Sequence, residues 1–223
     1  QKFNYKFNFK KIVMVNLKSL VVPIITMSII VLVSNILVQF LLGNWLTWGA
    51  LTYPFAFLVT DITNRFYGLS AARKVVLFGF IIGIFCSLVG TQLQGEFGPL
   101  VTFRIALGSA TAFIISHLLD ISIFNYLRQE RWWKAPLISS IVGSSLDTLI
   151  FFFVAFSGFF IFLEPSNDVS WAVEKVPILG MFGISPLWVS LAFADFLVKL
   201  SLITISLIPF RFLIVLLQKK ENV

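Results

Sequence analysis

The stretch LISSIVGSSLDTLIFFFVAF, Leu137 to Phe156, decides the class of this protein. Most of it is apolar, yet Ser140, Ser144 and Asp147 fall at i, i+4 and i+7, with Gly143 and Thr148 beside them. That spacing puts a polar stripe on one face of a helix. A soluble amphipathic helix would keep charge along its polar side; this one runs on into Phe151, Phe152 and Phe153. A membrane-spanning helix needs about 20 mostly apolar residues, and the stretch lies inside a longer apolar run, 135–163. Further runs of the same kind cover 19–42, 50–67, 73–94, 101–127 and 186–217. The run at 50–67 is the shortest and the least apolar.

The composition agrees. Of 223 residues, 58% are hydrophobic and 12% charged, with a mean hydropathy of +0.96. Soluble domains carry about 25% charged residues. These values exclude a soluble enzyme and a disordered chain, and a lone cysteine, Cys86, excludes a disulfide scaffold. The expected fold is an all-α membrane protein with six transmembrane helices in one domain, 19–217. A basic cytoplasmic arm, 1–18, precedes it and a cytoplasmic tail, 218–223, follows. No small-residue cleavage site follows the basic stretch from Lys2 to Lys18, so a cleavable signal is not expected. A chain that opens on Gln1 is expected to have started further upstream.

Charge sets the orientation. Lys2, Lys6, Lys10, Lys11 and Lys18 lie on the arm, Arg73 and Lys74 after the second run, Arg128, Arg131 and Lys134 after the fourth, and Lys219 and Lys220 in the tail. The alternate loops offer Lys175 against Glu96, Glu164, Asp168 and Glu174. Basic residues stay on the cytoplasmic side, so both termini are expected there, and the net charge of +7 is mainly topogenic. The arm KFNYKFNFKK, 2–11, alternates rings and cations, a pattern read as an interfacial anchor on anionic lipid rather than a nucleic-acid site. Trp132 and Trp133 read as an aromatic belt at the headgroups.

Charged groups at membrane depth cost on the order of 2.5–3.5 kcal/mol each, yet Asp61, Arg65, Arg104, His117, Asp120, Asp147, Asp195 and Lys199 all fall inside the apolar runs. At a rise of about 1.5 Å per residue, Asp61, Asp147 and Asp195 lie roughly 14–18 Å into their spans, so three carboxylates are expected to meet near the midplane. Arg104 is expected near the outer surface, His117 and Asp120 near the cytoplasmic one. Asp61/Arg65 and Asp195/Lys199 are i,i+4 pairs, each acid with a base on its own helix face. Asn35 and Gln39 form a similar amide pair. Asp147 has no base at i±3 or i±4, so it is expected to hold a proton or to await a hydrogen-bonding ligand, the competing expectation being a pairing with Arg65 or Arg104 from another helix. Such pairs can simply glue a bundle together, but four acids face three bases and one histidine. A cavity that binds something polar accounts for the excess better.

The chemistry of hydrolysis finds little support. No GxxxxGK[ST] segment, no HExxH segment and no cysteine pair occurs, so neither a nucleotide loop nor a metal site is expected, and no cofactor. A serine near His117, or an aspartyl dyad, would make an intramembrane hydrolase; no oxyanion-type motif accompanies either. The chain is read as a non-enzyme.

Five blocks carry a family resemblance: TWGALTYPFAFLVTDITNRFYG (47–68), ARK (72–74), HLLDISIFNYLRQERWWKAP (117–136), GSSLDTLIFFFVAF (143–156) and ADFLVKL (194–200). Together they resemble the queuosine precursor transporter family, also called a vitamin uptake transporter family. His117 departs from that pattern, where glutamine stands in other members. The resemblance implies multi-pass uptake proteins of the bacterial inner membrane carrying 7-deazaguanines: the nitrile precursor, the aminomethyl precursor or queuine. It also implies a helix bundle similar to the substrate-binding components of energy-coupling-factor transporters.

A guanine-like face presents two adjacent donors, which a carboxylate accepts side by side, and its ring suits aromatic walls. The expected substrate-binding set is Asp147, Asp61, Arg65, Asn35, Gln39, Ser144, Asp120, Asp195, Lys199 and Arg104. The expected partners are this small base and the lipid bilayer, with a homo-oligomer or a separate energising ATPase module as further candidates. An alternative is that the chain only captures substrate for such a module. Reporter fusions test the topology: a reporter in the 164–185 loop is expected on the outer side, and a cytoplasmic signal there would refute it.

Overall fold

The computed structural model describes residues 17–95 and 98–221; residues 1–16 of the expected basic arm lie outside them. Helix α1 (Leu17–Leu37) is mostly apolar and tolerates Pro23 in its interior, as membrane helices do when neighbours satisfy the freed carbonyl. It ends before the expected limit at 42, because the chain folds into a hairpin of β1 (Leu41–Leu42) and β2 (Leu46–Thr47). A one-turn helix, α2 (Gly49–Thr52), then leads to α3 (Phe55–Tyr67). Between them stands Tyr53-Pro54, where proline has no N–H to give the ladder.

Gly68 alone joins α3 to α4 (Leu69–Gln92). Its φ of 85° lies where side chains are strained, and its amide and carbonyl bond Asn64 and Ala72 of the two helices. The hairpin β3 (Gln94–Gly95) with β4 (Gly98–Pro99) precedes α5 (Phe103–Leu127), capped by the Thr102 hydroxyl. Helix α6 (Lys134–Phe156) ends short of 163, and a 3-10 segment, Gly158–Leu163, replaces its expected last turns. The next loop holds α7 (Ser170–Val173) and an antiparallel pair, β5 (Lys175–Pro177) with β6 (Ile184–Pro186). The Ser170 amide donates to Asp168 and holds that carboxyl below the ordinary carboxylate range. The long α8 (Leu187–Glu221) closes the chain.

Among the described residues, five helical stretches are long and apolar enough to cross a membrane: Lys18–Leu37, α4, α5, α6 and Leu187–Leu216. The run at 50–67 is not one of them. Tyr53-Pro54 breaks it, and Thr60, Asp61, Thr63 and Asn64 lower its hydropathy. Those four side chains are buried in the bundle, so α3 meets protein where the long helices meet lipid. The exposed sides of the long helices are apolar, with Val22, Phe85, Leu88, Leu149, Ile208 and Phe212 all more than half exposed.

Two apolar cores hold the helices. One joins Met27 and Val31 of α1 to Ala56, Val59, Val75, Val76, Phe113 and Ile121; the other joins Phe124, Ala135, Phe210 and Ile214. Apolar burial drives association weakly in lipid, so close packing and buried polar bonds must do more. Helices α5 and α6 approach closely at Gly143, where a Cβ would stand 2.8 Å from Phe57 and 3.2 Å from Asp120 Cβ. Gly143→Val is therefore expected to cost about 1–3 kcal/mol through overpacking, read as a lower unfolding midpoint in detergent.

Candidate functional site

The centre of the bundle is a four-residue network between α6 and α8. Lys199 Nζ lies 2.8 Å from Asp147 Oδ2, 2.6 Å from Asp195 Oδ2 and 2.9 Å from Thr148 Oγ1. Thr148 in turn donates to Asp195 at 2.7 Å. An ammonium has three protons, and each has a partner here. The Tyr53 ring lies 5.8 Å from the same nitrogen. All four polar residues are at most 9% exposed. Asp195 and Lys199 pair along their own helix, as their spacing predicts. Asp147 does not stand alone: its partner is Lys199, reached from α8 across the interface, which no spacing within α6 could reveal.

Above this network opens a cavity of about 480 Å³, within the range that takes small ligands. Its floor is Asp147, Asp195 and Lys199, with Tyr53 beside them. Phe151, Phe152 and Phe156 of α6 form one wall, and Trp45 and Trp171 stand nearer the three hairpins. Asn35 and Gln39 of α1 line it as expected, with Ser87 of α4 and Ser109 of α5. The expected site set left out Thr148, which stood only in the polar stripe of α6, and Tyr53, Trp45 and Trp171; aromatic residues are too frequent in this chain for any one to be singled out. The first helix also contributes, although its run carries no charge beyond Lys18.

The other expected site residues lie elsewhere. Asp61 does not join Asp147 and Asp195; it accepts from Ser140 at 3.0 Å and Ser139 at 3.4 Å, toward the end of the bundle that carries the basic residues. Asp120 packs against the same face of α6 and is fully buried. Arg65 Nη1 donates to the Arg128 carbonyl at 2.7 Å, and Arg128 returns a bond to the Arg65 carbonyl. Each guanidinium thus caps the end of the other's helix, and burial beside Arg65 draws the Arg128 guanidinium below its ordinary pKa. Arg104 is no cavity residue either: its guanidinium bonds the carbonyls of Val154 and Ser157, capping α6, while Glu164 accepts from its amide. Ser144 is buried but does not line the cavity.

His117 stacks between Phe57 and Phe113, with both ring centroids 4.2 Å away. Its Nδ1 contacts the Phe113 carbonyl at 3.0 Å and Ser116 Oγ at 3.4 Å, and Ser116 reaches Asp147 at 3.4 Å. The histidine therefore sits level with Asp147 in mid-bundle, rather than near one surface. Tyr53, just before α3, and Phe57 and Asp61 on it follow one another at i, i+4, i+8. The ring stack is thus interposed between the cavity and the Asp61 cluster.

Long apolar helices around a closed, charged floor and an aromatic-walled chamber define a multi-pass membrane protein with a solute cavity. The comparisons with known proteins place it further. Residues 47–214 match the family model described as "Putative vitamin uptake transporter", and the chain belongs to that family. The family is one of transporters, not enzymes, and the chain is a multi-pass protein of the bacterial inner membrane.

A protein of Escherichia coli (strain K12) named "Queuosine precursor transporter" is 43% identical over 138 residues, 55% of this chain and 62% of the relative. One of Haemophilus influenzae, named "Probable queuosine precursor transporter", is 35% identical over 174 residues, 73% and 66% of the two chains. A third, of Bacillus subtilis (strain 168) and with the same name, is 33% identical over 140 residues, 54% and 60% of the two. The matched stretches thus span less than two thirds of the relatives' length. No solved structure matches the chain.

The network makes a prediction about stability. Lys199→Met leaves two buried carboxylates facing each other and is expected to cost about 3–5 kcal/mol. Adding Asp195→Asn should restore part of that loss. Thermal unfolding of the purified variants measures both.

Proposed function

We propose that this chain carries 7-deazaguanine precursors of queuosine across the bacterial inner membrane, binding them in the cavity above Lys199. The observation that carries this reading is the cavity's chemistry: a floor with two carboxylates and one ammonium under aromatic walls, with the amides of Asn35 and Gln39 alongside. A flat heterocycle with adjacent N–H donors fits that surface. The carboxylates accept the donors, the amides supply donors for its carbonyl, and the rings cover its faces. The names of the relatives point the same way.

In this reading the α2–α3 segment makes a sixth crossing, protected from lipid by its neighbours, in a single transmembrane domain with both termini cytoplasmic. The hairpin-bearing end then faces outward and the cavity opens toward it. With two acids and one base, the floor carries a formal charge of −1. It favours a neutral or cationic base, such as the aminomethyl form, over an anion.

Uptake of labelled deazaguanine by cells unable to make it, scored as queuosine in transfer RNA, tests the reading. Cells carrying this chain should gain queuosine, and cells carrying Asp147→Asn should gain little. On purified protein, Asp147→Asn is expected to weaken binding roughly tenfold to a hundredfold, the loss of one hydrogen bond to a charged group. Native affinity in that variant would remove Asp147 from the substrate site.

A further inference from the structure

The cluster below the ring stack has no part in the cavity, and its charges do not balance. Asp61 and Asp120 are 2% and 0% exposed. Ser139 lies beside both carboxylates, which act on each other electrostatically. Its single hydroxyl proton bonds Asp61, however, and both oxygens of Asp120 are left without a hydrogen bond among the described residues. Two more buried atoms nearby in sequence also have no such bond: Oδ1 of Asn64, one turn from Asp61, and Nε2 of His117, one turn from Asp120.

The surrounding elements send their cations elsewhere. On α3, Arg65 donates to the Arg128 carbonyl at the basic end. On α8, Lys199 is held by Asp147, Asp195 and Thr148, and Arg211 stacks on Trp132 at 4.5 Å. Helix α6 contributes hydroxyls here, its one acid, Asp147, being bound to Lys199. Arg73 and Lys74 of α4 are exposed, and α1 has no charge beyond Lys18 in its first turn. Two carboxylates buried against one face of α6, Asp61 on Ser139 and Ser140 and Asp120 beside Gly143, cannot both stay ionised in a dry interior without a compensating cation. The void beside Asp61 is about 10 Å³, room for a single water at most. That size favours a proton over a hydrated metal cation.

We infer that Asp61 and Asp120 form a proton-binding site, separate from the substrate floor, that takes one proton shared between the two carboxylates and links its passage to that of the substrate. Ser139 and Ser140 position the pair. Ser116 is the link upward, since it contacts both Asp147 in the floor and His117 in the stack. A ligand that rearranges Asp147 thus alters the polar contacts of the residue one turn from Asp120. The coupling rests on the transport reading above, whereas the proton site itself can be read without substrate.

Two measurements test this. Infrared spectra of the full chain in nanodiscs at neutral pH should show a protonated-carboxyl carbonyl band. That band should persist in Asp147→Asn and vanish in the double variant Asp61→Asn/Asp120→Asn. No band in the native chain, or one that survives the double variant, overturns the site.

In vesicles, an outside-acid gradient of one pH unit should drive up to about tenfold accumulation of labelled 7-cyano-7-deazaguanine at one proton per substrate. With Asp120→Asn the base should only equilibrate, while Asp120→Glu should accumulate it with a displaced pH profile. Accumulation driven by a sodium gradient or by ATP alone, or undiminished in Asp120→Asn, refutes the coupling. Vesicles that move no deazaguanine under any gradient would refute the transport reading instead, and the infrared result would still judge the site.

Discussion

Everything in this bundle is arranged around the ammonium of Lys199. A lysine charge in hydrocarbon is tolerable only if its protons are met by acceptors, and here two carboxylates and a hydroxyl meet all three. The requirement fixes the position of α8 against α6 and draws Thr148 into the same ring of bonds. It also leaves the floor of the cavity rich in acceptors, since no proton of Lys199 is left over for a ligand. The preference for a donor-bearing solute proposed above rests on that accounting of protons.

The second constraint is that polar helices must be hidden. Helix α3 carries Thr60, Asp61, Thr63 and Asn64 where the long helices carry leucine and phenylalanine, and the fold answers by surrounding it. The break at Tyr53-Pro54 then has a use. It ends the regular ladder beside the cavity, so that Tyr53 can face Lys199 while Phe57 and Asp61, on the following turns, face the interior below.

The long apolar helices were legible from composition and length alone, because hydrocarbon imposes a single requirement over some 20 residues. Their ends were less so. Nothing in the hydropathy of Leu41 and Leu42 separates a helix from a hairpin, nor does that of Gly158–Leu163 separate an α-helix from a 3-10 turn. The presence of a polar interior could likewise be read, but not its partition. Helix spacing predicts partners on the same helix, and it found Asp195 with Lys199. The bonds from Lys199 to Asp147, from Ser140 to Asp61 and from Arg104 to the end of α6 all cross between helices, so they depend on a packing that one sequence does not display. Three acids expected at one centre divide into two.

The stacked rings of Phe57, His117 and Phe113 have a bearing on the electrical insulation of the cell. A bacterial inner membrane sustains a voltage, and each charge that crosses it freely dissipates about 2.3 kcal/mol per 100 mV. A bundle lined with acids on two levels would be a ready conductor if water joined them. Three rings in face contact, 4.2 Å apart on either side of the imidazole, put aromatic material between those levels. Under the transport reading, the same acids can then serve a solute on one level without becoming a wire through the membrane.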